Sequence, residues 1–451
     1  MADVTQKITS KQLERYAKAY AQNPINQATE AAIMGVGIDQ STLNPATVKQ
    51  HTFLFSDECK QGEPTNQRKS GRCWYFAALN SLRQMVMEKL NVESFEFSET
   101  HLYFYDKLEK ANTFLENVIK TADRDLLDRE TQLIFDATVY DGGYWNYFVP
   151  LCKKYGLVPK AAAPESFHSG ESYMFTKQMD YRLKRSAMAI RKAKAEGAEN
   201  KELRKLKDSA LEEVYNIAVK SLGHPVTEFN FSYRDKDKKF HRLEKLTPLE
   251  FFEQYIGAEE LDKRINLISD PRDLYPHGRV LELADARSVY EAAPAGGLNV
   301  PIEVLAEAVL ASVKDGVPVW YACDVGKDID RKLGILDKQL FNYDEVLPPI
   351  GEFTKAERFA CGYSGATHAM NITGVDLDEA GKPLFWKVEN SWGDDLGKKG
   401  TFSMSHEWFI EYTFEAIVDK KYIPEEYLKG LEEEAITIPP WDNLALSLCN
   451  H

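Results

Sequence analysis

The sequence has no long hydrophobic run and no closely spaced pair of cysteines. No uncharged apolar stretch approaches the roughly 18 residues of a membrane span, and the N-terminal residues contain no apolar core like that of a signal peptide. The six cysteines are too sparse for a disulfide framework and include no Cys-x-x-Cys pair. These absences predict a cytoplasmic protein with reduced thiols and no membrane segment.

Positive charge is also in deficit. The sequence has 56 lysines and arginines against 70 aspartates and glutamates, a formal net charge of −14, and its basic residues are dispersed. A polyanion such as nucleic acid is therefore not expected as a partner. The hydrophobic share of 43% and the absence of low-complexity tracts are typical of a chain that folds on its own.

The first 50 residues predict an N-terminal arm with little core of its own. Residues 10–22 form an amphipathic helical pattern that begins at a candidate cap, Ser10. Residues 23–50 are mixed in character and are punctuated by Pro24 and Pro45.

A longer helix is predicted directly after Gly71. Residues 73–91 carry apolar side chains at helical spacing. Four of these side chains share one face: Leu79, Leu82, Val86 and Leu90. Cys73 therefore stands at the N-terminus of a helix.

The middle of the chain changes from helical to strand-like patterns. Residues 171–222 are rich in Lys, Glu, Arg, Ala and Leu and predict two long helices broken near Gly197. Apolar and polar residues begin to alternate at Val226, which predicts strands. After a helix over 301–314 and a buried strand over 317–323, we expect short antiparallel strands joined by glycine-containing turns.

These patterns predict an α+β protein that is helical in its first half and sheet-rich in its second. Its parts are an N-terminal arm (1–50), a helical subdomain with Cys73 (51–165), an inserted, mainly helical subdomain (166–290), a β-rich subdomain (291–437) and a C-terminal tail (438–451).

Cys73 is the candidate nucleophile. A thiol attacks a carbonyl as the thiolate, and the backbone N–H groups and dipole at a helix N-terminus lower the pKa of a cysteine. The Cys73 N–H and the Gln67 side-chain amide, six residues upstream, are candidate donors to the oxyanion of a tetrahedral intermediate. Taken alone, Cys73 is more often a buried structural cysteine of an apolar helix.

The base and the group that orients it are expected far downstream. His368 follows a glycine-rich turn at the start of a predicted strand, and Asn390 ends the next strand, 390 − 368 = 22 residues later. That separation suits neighbouring strands of a hairpin, in which Asn390 holds the imidazole and Trp392 shields their bond from water. Each residue alone is equally a core histidine or a turn asparagine. Together with Cys73 they indicate a Cys-His-Asn peptidase site.

Three segments resemble the active-site blocks of the papain superfamily. They are Gln67…Gly71-Arg72-Cys73-Trp74, Thr367-His368-Ala369-Met370 and Glu389-Asn390-Ser391-Trp392-Gly393. The Arg before Cys73, the Phe-Ala-Ala-Leu-Asn after it and the closing Pro-Pro-Trp-Asp resemble the bleomycin hydrolase and bacterial aminopeptidase C branch.

The resemblance implies a papain-like fold with a helical left subdomain, an antiparallel sheet-rich right subdomain and a large helical insertion. It implies a cysteine peptidase that cleaves peptide substrates through a thioacyl-enzyme, without a cofactor or metal. The implied roles are nucleophile for Cys73, general base and acid for His368, orienting residue for Asn390 and oxyanion donor for Gln67.

The resemblance also implies how the substrate is held. The loop Asp141-Gly142-Gly143 resembles the glycine pair that binds the extended substrate backbone. In the family the C-terminal carboxylate receives the substrate's amino group and makes the enzyme an aminopeptidase, a contact that falls here to His451. After Trp441-Asp442 the tail departs from the usual family ending, so an oligopeptide endopeptidase of the same family is the alternative.

The spacing of the site predicts an insertion. Cys73 and His368 are 368 − 73 = 295 residues apart, against roughly 130–150 in the simple papain layout. Residues 171–222 and their strand-like continuation are the candidate insertion. In the resembling family the insertion builds a hexameric barrel with inward-facing sites, which implies a homohexamer here.

Two other classes of protein share isolated features of this sequence. A Cys-His acyltransferase would use the same activated thiol, but an Asp is expected where Asn390 stands. A thiol or metal module would need a second close pair beside Cys361 with His368 or Cys449 with His451, and the sequence has none.

Overall fold

The computed structural model describes the backbone of residues 7–446 and the side chains of residues 7–445. Within that range no helix combines the length and the apolar character needed to cross a membrane.

Helices dominate the first half of the described chain. They are α1 (Ser10–Ala21), α2 (Pro24–Val36), α3 (Ile38–Thr42), α4 (Pro45–Gln50), α5 (Cys73–Leu90), α6 (Glu99–Lys120), α7 (Arg129–Asp136), α8 (Trp145–Tyr155), α9 (Phe167–Gly170), α10 (Tyr173–Ala195), α11 (Asn200–Leu222), α12 (Pro248–Tyr255), α13 (Ala258–Asp262), α14 (Ile302–Lys314), α15 (Tyr343–Val346), α16 (Lys355–Ala360), α17 (His406–Tyr412), α18 (Glu425–Leu428) and α19 (Asn443–Leu446).

Most strands lie in the second half. They are β1 (Asp57–Glu58), β2 (Phe229–Arg234), β3 (Phe240–Leu246), β4 (Arg264–Ile268), β5 (Arg279–Leu283), β6 (Gly296–Asn299), β7 (Val319–Cys323), β8 (Ile329–Asp330), β9 (Ile335–Leu336), β10 (His368–Leu377), β11 (Pro383–Glu389), β12 (Thr401–Ser405), β13 (Thr413–Asp419) and β14 (Ile436–Ile438). The predicted α+β class is confirmed.

One mixed sheet joins all of these strands except β2 and β3, which form a separate hairpin. Its order is β14-β5-β6-β4-β13-β7-β10-β11-β12-β9-β8, with β1 paired to β10 outside this path. The central run from β13 to β12 is antiparallel. Asn371 therefore lies opposite Glu389, and the start of β10 meets the end of β11 at one edge.

Helix α5 is buried between this sheet and the other helices. The Trp320 Nε1–H on β7 donates to the Trp74 carbonyl at 3.2 Å, and the Asn371 side-chain amide on β10 donates to the Ala77 carbonyl at 2.8 Å. The prediction of a helix beginning at Cys73 is confirmed. The sequence predicted one apolar face for this helix, but buried residues occur on nearly all of its sides.

Strand β7 separates two parts of the core. Trp320 and Ala322 lie in the cluster that contains α5, whereas Val319, Tyr321 and Cys323 lie in the cluster that contains α14. This alternation follows from the period of two along a strand. Because both faces are covered, the strand reads as a continuous apolar run in the sequence.

The N-terminal arm differs from the prediction in its local structure. Helices α1 and α2 contain no buried residue, as expected of an arm with little core. The cap of α1 is Thr9, whose hydroxyl accepts the Gln12 N–H, and not Ser10. Pro24 and Pro45 are the first residues of α2 and α4. Proline is tolerated there because the N–H groups of the first turn have no acceptor within the helix, so the N–H that proline lacks costs no helical hydrogen bond.

The predicted pair of long helices is confirmed as α10 and α11, with Gly197 between them at a φ of +89°. Beyond the β2–β3 hairpin, strands β4 and β5 belong to the large sheet, although they fall within the predicted insertion 166–290. They lie there because their backbone groups pair with β13, β6 and β14. The domain boundaries themselves remain predictions.

Two glycines that end helices provide a matched test of backbone packing. Gly156 after α8 has φ +69° and ψ −168°, and Gly223 after α11 has φ +91° and ψ 175°. A Cβ at Gly156 would overlap the backbone of Pro248, whereas a Cβ at Gly223 meets nothing within 4 Å. We expect Gly223→Ala to lower the free energy of unfolding by about 1–3 kcal/mol through backbone strain alone.

Gly156→Ala should lower the free energy of unfolding by about 1–3 kcal/mol more than Gly223→Ala does, because the added Cβ overpacks the contact with Pro248. Urea unfolding of both variants measures the difference, and equal losses would show that the contact with Pro248 carries no strain.

Candidate active site

Cys73 is the first residue of α5 and is 8% exposed. Burial raises the pKa of its thiol to about 11, while the backbone N–H groups of Ala369, Trp74 and Cys73 itself lower it. The helix N-terminus therefore acts in the predicted direction. Burial outweighs it, because a thiolate loses more hydration in the cleft than a thiol does.

His368 opens β10 on the same cleft as Cys73, an open space of about 880 Å³. Its Nε2 lies 3.0 Å from Asn390 Oδ1. Asn390 Oδ1 also accepts the Ser391 N–H at 2.8 Å, so the amide oxygen is fixed towards the imidazole. An acceptor at this position selects the tautomer with hydrogen on Nε2, which leaves the lone pair on Nδ1.

The surroundings of His368 favour the neutral ring. Burial and the positive charge of Arg331 lower its pKa, and the bond to Asn390 raises it. The net result is a pKa of about 4. The Trp392 ring lies 4.9 Å from the imidazole at an angle of 32°. Trp392 covers His368 in this way and is not among the residues that line the described cleft.

Gln67 lines the cleft beside Cys73. Its Nε2 donates to the Ser70 carbonyl at 2.6 Å, and its Oε1 accepts from the Ser391 hydroxyl at 2.6 Å. The backbone N–H of Gln67 donates to the Ser391 carbonyl at 2.8 Å. Ser391 therefore contacts both Gln67 and Asn390, a link between the two walls that the sequence reasoning missed.

Asp141 lines the cleft, but its carboxylate is bonded to the protein itself. Its carboxylate accepts from the Gly71 N–H at 3.1 Å, the Tyr103 hydroxyl at 2.7 Å and Lys107 Nζ at 2.7 Å, and from the Ser172 hydroxyl. Lys107 and these donors hold the pKa of Asp141 below its usual range despite burial. Asp141 therefore ties its loop to the segment before Cys73, and the carboxylate is committed to the protein.

Gly142 and Gly143 line the cleft next to Asp141. A Cβ on Gly143 would lie 2.6 Å from Trp74 Cε2, so only glycine fits against the residue that follows Cys73. The Trp74 Nε1–H donates to the Asp141 carbonyl at 2.8 Å. The loop and the first turn of α5 are thus packed as one unit.

Two buried lysines on α6 hold the carbonyls of this loop, and the sequence reasoning missed both. Lys107 Nζ donates to the Val139 carbonyl at 2.7 Å and to the Tyr140 carbonyl at 2.9 Å. Lys110 Nζ donates to the Tyr140 carbonyl at 2.9 Å and to the Gly142 carbonyl at 2.7 Å. No signal marked them, because lysines three apart on a helix normally lie on a solvated face.

Arg72 directly precedes Cys73, and its side chain anchors the start of α5. Its guanidinium is buried and binds the Glu165 carboxylate through Nη1 at 3.1 Å and Nη2 at 2.8 Å. This pair lowers the pKa of Glu165 to about 2, with Lys160 as a further positive neighbour. The backbone that leads into α5 is therefore held by a bidentate ion pair.

Predicted residue His451 lies outside the described residues. The described part of the tail contacts the residue that follows Gly143, because the Ala445 carbonyl accepts the Tyr144 hydroxyl at 2.9 Å. Within residues 7–446 no three His, Cys, Asp or Glu side chains are grouped to hold a metal ion.

Comparison with known proteins gives consistent matches over nearly the whole chain. The model of the Peptidase C1-like family matches residues 7–445. Aminopeptidase C of Listeria monocytogenes is 38% identical over 96% of this chain and 98% of its own. Human bleomycin hydrolase is 37% identical over 89% of this chain and 90% of its own. The crystal structure of PepW from Lactobacillus rhamnosis is 36% identical, with a TM-score of 0.94 over 97% of this chain and 98% of that one.

The fold and these matches define a papain-like cysteine peptidase. The chain belongs to the Peptidase C1-like family, because the family model covers almost all of it and these relatives exceed 30% identity over at least 90% of their own length.

The lysines behind the loop generate the first prediction from the site. Lys110→Met removes one donor to the Tyr140 carbonyl, which keeps its bond to Lys107, and removes the charged donor to the Gly142 carbonyl. We expect kcat/KM for a peptide to fall on the order of tenfold, mainly through KM, because the loop is predicted to bind the substrate backbone and to take no part in bond breaking.

Lys153→Met is the matched control, since Lys153 forms an exposed ion pair with Asp262 at 2.5 Å. It should change kcat/KM by less than about twofold. Steady-state kinetics of both variants check this, and an unchanged KM in Lys110→Met would contradict it.

Burial of His368 generates a prediction about stability and pH. Its folded pKa is about 4, whereas an unfolded histidine titrates near 6.5. Between these values the unfolded chain binds more protons, so this contribution to stability is present above about pH 6.5 and is lost as the pH falls towards 4. His368→Gln should reduce that loss by about 1–3 kcal/mol.

Urea unfolding at about pH 7 and about pH 4.5 measures the effect. His224→Gln is the control, because His224 is exposed and should leave the loss at its original size. If all three proteins lose the same stability, His368 is not held in its neutral form.

Proposed function

We propose that the protein is an aminopeptidase that uses Cys73, His368 and Asn390 to release N-terminal residues from peptides. The observation that carries this proposal is the cleft itself, which contains a thiol at a helix N-terminus and an imidazole oriented by an asparagine. The names of the relatives, aminopeptidase C and bleomycin hydrolase, support the substrate class.

The reaction begins when Cys73 Sγ attacks the substrate carbonyl and its proton passes to His368 Nδ1. Charging the thiol or the imidazole alone is unfavourable in the buried cleft, as the two pKa shifts indicate. Proton transfer creates both charges together, and their attraction offsets much of the desolvation. Asn390 stabilises the imidazolium through Nε2.

The Cys73 N–H and the second Nε2 hydrogen of Gln67 bind the oxyanion of the tetrahedral intermediate. The intermediate collapses when His368 returns its proton to the leaving amine, which leaves a thioester on Cys73. A water molecule then gives its proton to His368 and attacks the thioester carbonyl. The second tetrahedral intermediate collapses with cleavage of the C–S bond, the acid leaves, and the Cys73 thiolate takes the proton back from His368.

Restriction to N-terminal residues is assigned to the tail, residues 443–451. The bond between Ala445 and Tyr144 supports this, because Tyr144 directly follows the cleft residue Gly143. The endopeptidase alternative requires that the part of the cleft next to Tyr144 stays open to the residues that precede the cleaved bond in a longer peptide. Free-amine and N-acetylated forms of one peptide therefore separate the two functions.

We expect the protein to cleave the free-amine peptide and to cleave its N-acetylated form poorly. Cys73→Ala should lower both rates by at least about 1000-fold, because it removes the nucleophile. Deleting residues 443–451 should raise cleavage of the N-acetylated peptide relative to the free-amine peptide. An unaltered ratio after this deletion would exclude the tail as the gate, and equal rates in the full-length protein would favour an endopeptidase.

We also propose a cytoplasmic homohexamer that encloses these sites. Helices α1 and α2 contain no buried residue, and large apolar side chains are exposed along them. Examples are Leu13, Ile25, Met34 and Val36. Exposed apolar groups of this kind favour burial against further copies of the chain.

Light scattering coupled to size exclusion should give six times the 51.4 kDa chain mass. Leu13→Glu together with Met34→Glu should shift the protein to smaller species by placing charge in the contact. A stable, active monomer of the unaltered chain would refute the assembly.

A further inference from the structure

The turn between β8 and β9 carries an exposed arginine, Arg331, that the reaction steps do not use. Its carbon Cζ lies 4.7 Å from the centre of the Trp392 ring. The Trp392 ring in turn lies 4.9 Å from the imidazole of His368. These two contacts in series, 4.7 Å and 4.9 Å, place the guanidinium within about 10 Å of the imidazole.

The backbone around Arg331 is fixed to the loop that follows Trp392. The Gly397 N–H donates to the Arg331 carbonyl at 3.2 Å, and the Ser403 N–H on β12 donates to the Gly334 carbonyl at 2.8 Å. A Cβ on Gly334 would lie 2.5 Å from Gly397 Cα, so the turn and the loop are packed backbone to backbone. The guanidinium and the indole therefore belong to one packed unit.

The guanidinium of Arg331 is available to a ligand. Among the residues that the structure describes, none forms an ion pair or a side-chain hydrogen bond with it. The neighbouring Asp330 carboxylate accepts the Leu333 N–H at 2.9 Å. A guanidinium can stack on an aromatic ring and still present a fork of N–H donors that matches a carboxylate. The stacked Arg331 therefore has the features of a preformed carboxylate site.

The leaving part of the peptide starts at the imidazole. In the proposed reaction His368 gives its proton to the leaving amine, so this amine lies against the ring. Trp392 covers the ring but is not among the residues that line the cleft together with Gly142 and Gly143. Trp392 and Arg331 thus lie on the outer side of His368, outside the space next to the glycine loop.

The distance from His368 to Arg331 sets the length of peptide that spans it. An extended chain advances about 3.3–3.6 Å per residue, so two or three residues after the cleaved bond cover about 10 Å. A C-terminal carboxylate reaches the guanidinium when the leaving part ends at this point.

We infer that Arg331 binds the C-terminal carboxylate of the leaving part and is a specificity-determining residue that favours tripeptides and tetrapeptides. The inference rests on the proposed function, because release of one N-terminal residue from these substrates leaves two or three residues. Charge-assisted bonds from the guanidinium to the carboxylate hold the leaving part. In longer peptides the carboxylate lies beyond Arg331, and the preference disappears.

Other roles for Arg331 have a different consequence. If its charge acts only on the pKa of His368, or if it only covers Trp392, its removal changes the cleavage of all peptides in parallel. If it binds the terminal carboxylate, its removal affects peptides with a free carboxylate and spares their C-terminal amides. The ratio of kcat/KM for the two forms of one peptide distinguishes these roles.

The test uses the full-length protein and one tripeptide with a free amino terminus, as the C-terminal carboxylate and as the C-terminal amide. We expect the unaltered protein to favour the carboxylate on the order of tenfold in kcat/KM. Arg331→Gln should remove this preference, mainly through a higher KM for the carboxylate. Because Arg331 is exposed on a turn, the variant retains the fold. The two forms of an octapeptide should be cleaved equally by both proteins.

Lys332→Gln is the matched control. Lys332 is the next residue of the same turn and is exposed, so the substitution removes the same charge and leaves the stacked guanidinium in place. It should keep the preference for the carboxylate. A lack of preference in the unaltered protein, an unchanged ratio in Arg331→Gln, or an equal change in Lys332→Gln would overturn the inference while the proposed function stands. The proposed function fails separately if the N-acetylated tripeptide is cleaved as fast as its free-amine form.

Discussion

The attachment of α5 to the sheet is the contact on which the geometry of the site depends. Two side chains of the sheet, Trp320 and Asn371, donate to carbonyls in the first turns of this helix, at Trp74 and Ala77. Carbonyls inside a helix already accept from the helix itself, so these extra bonds fix its rotation and height without disturbing it. Cys73 is placed by this attachment next to the start of β10, where the Ala369 N–H acts on its thiol.

The same attachment explains why charge can be buried around the cleft. Once Trp74 is seated, Gly143 must pack against its ring, and the loop carbonyls turn inward. Lys107 and Lys110 meet those carbonyls, and Asp106 and Asp141 balance their charge. A buried charge is tolerated when it is paired and hydrogen-bonded, and such a network is rigid because every member has a fixed partner. The loop from Val139 to Gly143 is therefore held in one conformation by buried groups behind it.

Much of the site was predictable because its parts are local in sequence. His368 and Asn390 are 22 residues apart, and a hairpin of that length leaves little freedom in their relative position. The break at Gly197 was predictable for the same reason. The inward lysines were not predictable, because their pattern equals that of a solvated helix face until the loop from Val139 to Gly142 is known to cover it. Residue-level caps also escaped prediction, since Thr9 and Ser10 have the same chemistry and differ only in which one adopts the extended backbone.

The sequence by itself determined which candidate reacting groups exist, their order along the chain and the type of element that carries each of them. Side-chain chemistry and short-range backbone preference act over a few residues, so they can be read in one dimension. Only the tertiary structure decided that Cys73 and His368, 295 residues apart in the chain, share a cleft. It also decided that burial raises the pKa of the thiol and lowers the pKa of the imidazole, so that both groups favour their neutral forms. It also decided that Asp442, remote from both in sequence, is held by Arg272 at 2.9 Å. These properties depend on desolvation and on contacts between distant residues, which exist only in the folded chain.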